Sequence, residues 1–193
     1  MPAPKILVFA GSIRTGSMNG QLAALAAKEF ALAGADVTRI SLLDYPMPLY
    51  DGDLESRSGP PAPAVSLKRM IEQHQGVFIA SPEYNASVTP LLKNTLDWVS
   101  RVRDGNEAPL AAYRNRAFAL GGASNGGYGA MRSLMALRQV LEQGCGALVI
   151  PDQIAVARAG EAFDEMDNFR DEANSKRLKA VVKSLIEFAR HYA

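Results

Sequence analysis

The 193 residues carry 21 lysines and arginines against 20 aspartates and glutamates, a formal net charge of +1, and 48% are hydrophobic. That length and apolar share suit one domain with a sizeable core and exclude a disordered or fibrous chain; the even charge, without basic run or acidic tail, disfavours nucleic acid and anionic membrane as partners. The one cysteine, Cys145, rules out an intrachain disulfide, and two histidines, His74 and His191, cannot complete a Cys/His metal cluster, so no metal site is expected and a reducing, cytoplasmic setting is.

Lys5 to Ala10 (KILVFA) is a short apolar run ending at Gly11, which predicts a strand buried on both faces. No cationic, apolar leader precedes it and no span of about 18 apolar residues follows, so a soluble, unexported chain is expected. From about Asn19 to Ala33, Leu22, Leu25, Ala26 and Glu29 recur at helical spacing, with Gly34 as the C-cap. Asp36 to Leu42 alternates like a strand nearer an edge, and the proline-rich piece from Asp44 to Pro63 reads as a long surface loop. Met47, Leu49 and Tyr50 in that loop either border a substrate site or mark a passive excursion.

A helix from about Val65 to Gln75 ends at Gly76, and Val77 to Ala80 forms a buried strand that breaks at Ser81-Pro82. Thr89 as N-cap with Pro90 at the first position opens a helix through Leu91, Leu92, Leu96 and Val99. Arg116 to Leu120 is the fourth strand, running into a glycine-rich loop, Gly121 to Gly129. Ala130, Leu134, Leu137 and Leu141 mark the next helix, ended by Gly144; Ala147 to Ile150 is the fifth strand, and Phe169 to His191 a closing amphipathic helix. Strands alternating with helices imply a parallel sheet between two helical layers, with right-handed crossovers.

In such a sheet ligands collect at the carboxyl ends of the strands near the switch point, which directs attention to three loops. Gly11 to Asn19 (GSIRTGSMN) brings hydroxyls, backbone N–H groups and a guanidinium to a helix N-terminus, as a phosphate requires. It has no lysine before Ser17 and no G-x-G-x-x-G, which disfavours ATP and a Rossmann dinucleotide. Ser81 to Asn85 breaks a buried strand and presents a carboxylate, a phenol and an amide, a setting that can edge a planar heterocycle. Gly121 to Gly129 lets backbone approach a ligand closely. Alone, each loop has an ordinary explanation as a turn.

Together, G-S-x-R-x-x-S-x-N at Gly11 to Asn19, S-P-E-Y-N at Ser81 to Asn85 and L-K-N-T-L-D-W at Leu92 to Trp98 resemble the NADPH-dependent FMN reductase family, in its bacterial quinone and chromate reductase branch. The resemblance implies a flavodoxin-like α/β/α sandwich with five parallel strands in the order 2-1-3-4-5, non-covalent FMN, NAD(P)H as electron donor, and dimers or tetramers. It places Ser12, Arg14, Ser17 and Asn19 at the FMN phosphate, with Met18 also among the cofactor-binding residues, Pro82, Glu83, Tyr84 and Asn85 along the ring and ribityl chain, and Gly122 and Ser124 at the ring's pyrimidine end. The expected reaction is ping-pong, two electrons moving as a hydride through FMN to a small acceptor: a quinone, chromate, an azo dye or a ferric chelate. Since the flavin carries the chemistry, no catalytic side chain is expected; third-loop amides would stabilise charge gained on reduction.

A reductase of free FMN and a flavodoxin-like electron carrier are the competing readings; the +1 charge argues against the carrier, and a receiver-like module would want acidic residues where Gly11 and Ser12 stand. Trp98, with Asp97, sits either at a subunit contact or in the core. Arg101, Arg103 and Asp104 read as a solvated helix end or an interface ion pair, Cys145 as a small buried hydrophobe, and His74 and His191 as surface residues near helix ends.

Overall fold

Lys5–Ala10 does form β1, and every residue after Lys5 is buried, because hydrophobic layers cover both faces of this strand. The computed structural model describes residues 2–192. Ile6, Val8 and Ala10 face one layer with Leu22, Ala26 and Phe30 of α1 (Met18–Leu32) and Leu185 of α7 (Glu172–Ala189). Leu7 and Phe9 face the other, with Leu67 of α3 (Ala62–Glu72), Leu92 and Leu96 of α4 (Pro90–Arg101) and Leu137 of α5 (Met131–Gln139). The sheet is wholly parallel, in the order β2-β1-β3-β4-β5, with β2 at Asp36–Arg39, β3 at Gly76–Ala80, β4 at Ala117–Ala123 and β5 at Leu148–Val156. This is the predicted flavodoxin-like order.

Several boundaries differ, each for a physical reason. β2 stops at Arg39 because the Ser41 hydroxyl accepts from the Leu43 N–H and turns the chain into a 3-10 turn at Leu42–Asp44. The predicted loop from Asp44 to Pro63 contains α2 (Gly52–Ser58), capped by the Asp51 carboxylate; α2 buries none of its residues, so no apolar period betrays it. α3 begins at Ala62, before the expected Val65. The loop is pinned to α4: the Pro48 carbonyl accepts from Trp98 Nε1 at 2.7 Å and Asn94 Nδ2 at 2.9 Å, and Tyr50 meets the Trp98 ring edge-on. Trp98 is fully buried, which selects the core reading.

β4 continues through Gly121 and Gly122 to Ala123, so the first three residues of the predicted glycine loop belong to the sheet. A Cβ on Gly121 would lie 2.6 Å from Phe78, so glycine there serves packing. β5 runs on past Pro151 to Val156, since proline is tolerated on an edge strand; its register shifts between the partners Phe118 and Leu120, and Arg138 donates to the carbonyls of Val149 and Ile150 there. α5 ends in a π-turn at Val140–Gly144, α6 (Ala159–Ala162) is one turn long, and the last expected helical residues form a 3-10 turn at Arg190–Tyr192.

His74, expected at the surface, is buried, with Nδ1 2.6 Å from the Met70 carbonyl. Arg101 pairs with Glu55 at 2.8 Å, within the chain. Lys68 is fully buried among Glu72, Asp104 and Glu107; burial lowers its pKa, but the three carboxylates outweigh that and hold it above the usual lysine value.

Candidate functional site

The loop leaving β1 is held at its base through both backbone groups of Gly11. Gly11 donates to the Ala80 carbonyl at 2.8 Å, and the Gly11 carbonyl accepts from the Thr89 hydroxyl at 2.8 Å. A Cβ on Gly11 would come within 2.9 Å of Leu92, so the close seat of α4 requires glycine. Ser17 caps α1, accepting from the Gly20 N–H at 3.4 Å, and Ser12 accepts from the Arg14 N–H at 3.3 Å. The N–H groups of Met18 and Asn19, in the first turn, have no helical partner. Arg14 is exposed and forms no ion pair among the described residues.

Asn19 is buried, and its amide is already engaged. Nδ2 donates to the Ala123 carbonyl and Oδ1 accepts from the Ala123 N–H, both at 2.9 Å, stitching the first loop to the end of β4. What Asn19 can offer a ligand is its backbone N–H. Ala123, which the sequence reading passed over, lies beside Gly122 and Ser124 and shares their signal.

The loop leaving β3 is rigid. Tyr84 and Ser87 exchange backbone bonds at 3.0 Å around Asn85 (φ +49°) and Ala86 (φ +64°), a tight two-residue turn. Tyr84 stands half-exposed on the rim. The Ser133 hydroxyl donates to the Pro82 carbonyl at 2.8 Å. The nearly buried Glu83 carboxylate accepts from the Arg132 side chain, through Nε at 2.8 Å and through Nη2, and from the N–H groups of Arg132 and Ser133 at 3.1 and 3.3 Å. It therefore caps α5. Arg132 in turn lies 5.3 Å from the Tyr128 ring centroid. Nothing in the sequence pattern singled out Arg132, since only the fold brings it to Glu83.

In the third loop Ser124 donates its N–H to Val156 at 3.0 Å and accepts at its hydroxyl from Gly126 at 3.2 Å, while Asn125 Oδ1 accepts from Gly160 at 2.9 Å. A Cβ on Gly122 would fall 2.9 Å from Ala130 and 3.1 Å from the Ser81 carbonyl, so packing explains this glycine too.

These pieces enclose a cavity of about 140 Å³ lined by Ser12, Arg14, Ser17, Met18, Asn19, Pro82, Glu83, Tyr84, Ala123 and Ser124. Nine of the eleven residues picked out in the sequence are in that lining; Asn85 lies beyond it in the turn and Gly122 beneath it. Larger grooves, about 410 Å³ between α1 and α7 and about 550 Å³ beside β5 and α7, lie on the flanks, away from the carboxyl ends of the central strands. Cys145 is buried in the core, and burial pushes its thiol up to about 11, which makes it an inert filler.

A parallel sheet ordered 2-1-3-4-5, with unspent anion donors after its first strand and a rigid wall after its third, defines a flavodoxin-like α/β protein built to hold a phosphorylated planar ligand. The model of the NADPH-dependent FMN reductase family matches residues 4–161. The chain is 38% identical over 138 residues to a quinone reductase of Escherichia coli, covering 71% of this chain and 69% of that one. It is 31% identical over 188 residues to the NAD(P)H:quinone oxidoreductase of Solanum tuberosum, covering 95% and 92%. Among solved structures, the flavoenzyme NAD(P)H:(acceptor) oxidoreductase FerB of Paracoccus denitrificans superposes with a TM-score of 0.81 at 25% identity, over 98% of this chain and 99% of that one. The chain belongs to the NADPH-dependent FMN reductase family, and is an NAD(P)H-dependent oxidoreductase that works with FMN.

Proposed function

We propose that this protein is a single-domain reductase that keeps FMN as a non-covalent cofactor and passes two electrons from NAD(P)H to quinones, with chromate, azo dyes and ferric chelates as further acceptors. One observation carries the reading: the unspent donors of the first loop and the wall of the second and third loops line the same cavity. The donor set fits a flavin phosphate. Arg14 supplies a guanidinium, Ser12 a hydroxyl proton, and Met18 and Asn19 their N–H groups at the positive end of α1. Charge-assisted bonds contribute about 1.5–3 kcal/mol each and the helix dipole about 0.3–1 kcal/mol, so two or three such bonds anchor the nucleotide.

Pro82, Tyr84 and Asn85 flank the ring, Glu83 fixes that flank to α5, and Gly122 and Ser124 shape the opposite side. Bound FMN supplies the hydride acceptor and two-electron carrier. The chain's own part is to orient it and leave one face open, so that donor and acceptor occupy the same mouth in turn. With the N–H groups of Ser124 and Gly126 already engaged, those of Asn125 and Gly127 are left to meet negative charge on the ring.

The exposed Tyr84 and Tyr128, together with Met131 and Met135 on the adjoining α5, suit a homodimer or homotetramer packed around the mouth. With its one cysteine buried, the chain suits a reducing cytoplasm. Among the described residues no helix is long and apolar enough to cross a membrane.

The test is to purify the protein and record its visible spectrum. One FMN per chain retained on dialysis, and parallel initial-rate lines for NAD(P)H against a quinone, are expected. A colourless protein that refuses added FMN overturns the reading. Loss of FMN on dialysis with sustained NAD(P)H oxidation would make it a reductase of free flavin, and intersecting lines would remove the shared mouth.

A further inference from the structure

Resting on that reading and going beyond it, we propose that the groove at the carboxyl end of β2 seats the 2′-phosphate of NADPH, and that Arg39 is the residue that distinguishes NADPH from NADH. Two adjoining cavities there, about 360 and 330 Å³, share Ser12, Gly20, Arg39 and Ser41. The second of them also shares Ser12, Arg14 and Ser17 with the cofactor cradle. The groove therefore continues the cradle across β1 toward β2, on the side away from Pro82 and Tyr84.

Two of its polar groups are donors with nothing to give to. The Ser41 hydroxyl accepts from the Leu43 N–H at 3.2 Å and so keeps its proton for an outside acceptor, whereas the Ser12 proton is committed to the cofactor phosphate. Arg39, last residue of β2, is exposed and makes no ion pair among the described residues. A hydroxyl proton beside an unpaired guanidinium suits an anion of phosphate size. Gly20 and Ala23 of α1 present little more than backbone to this groove, which leaves a flat floor for an adenine.

Two carboxylates also border the groove. Asp167 is engaged by Gln21 Nε2 at 3.0 Å, and Asp44, on the rim, suits a ribose hydroxyl. The span is right as well. Strands lie about 4.8 Å apart, so the end of β2 stands roughly 10 Å from that of β3, within reach of an extended dinucleotide whose nicotinamide covers the ring site.

The test uses the holoenzyme, titrated calorimetrically with adenosine 2′,5′-bisphosphate and with 5′-AMP. The wild type should bind the bisphosphate more tightly. Arg39→Ala should weaken the bisphosphate roughly 10- to 100-fold, the worth of a charge-assisted bond, and leave 5′-AMP unchanged. Arg39→Lys should recover part of the loss. In parallel, KM for NADPH should rise in Arg39→Ala, while KM for NADH, kcat and FMN affinity hold.

Equal binding of the two probes by the wild type overturns the proposal, as does an equal loss of both in the variant. Weaker FMN in Arg39→Ala also overturns it, by handing the arginine to the cofactor. Failure of the parent reading looks different: a wild type without flavin, whatever its preference between the two adenosine probes.

Discussion

The two ends of the sheet use the same kinds of residue for opposite purposes. At the amino end, ahead of β4, the nearly buried Arg116 donates Nε to the Arg114 carbonyl at 2.9 Å and Nη1 to the carbonyls of Ile71 and His74. His74 turns its Nδ1 proton to the Met70 carbonyl. The last carbonyls of α3, which no helix can satisfy internally, are thus met by side chains of the same chain, and burial lowers the pKa of both. At the carboxyl end, the N–H groups of Met18 and Asn19 in the first turn of α1 and the guanidinium of Arg14 meet no protein partner. A helix end that the chain completes for itself is architecture; one with idle donors at a switch point is free to meet an anion.

The largest effect should come from breaking the closed end. Arg116→Ala takes the side-chain donor from the His74 and Arg114 carbonyls, and leaves Ile71 only the His74 N–H at 3.2 Å; at about 1–3 kcal/mol for each lost partner, urea unfolding should show a loss of about 2–4 kcal/mol while FMN titration of the folded variant is unchanged. Weakened flavin binding at wild-type stability would erase the distinction between the ends. Glu83→Gln should fall between the two extremes, since Glu83 belongs to the site yet is spent internally. Losing the α5 cap costs about 0.5–2 kcal/mol and the pair with exposed Arg132 about 0–1 kcal/mol, so stability should drop by about 0.5–3 kcal/mol and FMN affinity should drop with it. Unaltered melting would show that the carboxylate is not the staple the geometry makes it.

Arg14→Ala is the mirror image of the Arg116 variant. With no internal bond to lose, the apoprotein should melt like the wild type, while FMN weakens by about 1.5–3 kcal/mol in a fluorescence titration. Unchanged flavin affinity would take Arg14 out of the phosphate site.

Much of this was legible in the sequence, and unevenly so. β1, β3 and α4 could be read because apolar runs, an N-cap and a first-turn proline are local signals. α2 and the far half of β5 could not: one is a polar helix with no buried face, the other passes a proline that only its edge position tolerates. The three loops singled out by residue type lie together, and nine of their eleven chosen residues meet in one cavity. Individual purposes were less visible. Asn19 and Gly122 were read as ligand contacts, yet the structure spends the Asn19 amide on Ala123 and fills the space over Gly122 with Ala130. Arg132 and Arg116 act through partners more than 40 residues away, and His74 caps its own helix under cover of other elements, which no local pattern announces.

The smallest expected effect tests the closed end through its histidine. Since a carbonyl can only accept, the proton on Nδ1 faces Met70 and neutral His74 leaves Nε2 bare; burial, with Lys5 and Arg116 nearby, then lowers its pKa despite that hydrogen bond and Asp36. A folded-state pKa below the unfolded value of about 6.5 means the unfolded chain binds the extra proton first. The stability that neutral His74 confers is therefore complete above about pH 6.5 and is lost as pH falls below it, with a slope of at most about 1.4 kcal/mol per pH unit. Urea midpoints at pH 7, 6 and 5 should decline in the wild type, and decline less in His74→Gln, whose amide can still donate to Met70. The depressed carboxylates of Glu55, Glu107 and Asp164 change stability in the same direction, but only at more acid pH, so the window between pH 5 and 6.5 isolates the histidine. An identical decline in both proteins would mean that His74 is not the buried neutral cap on which the closed end depends.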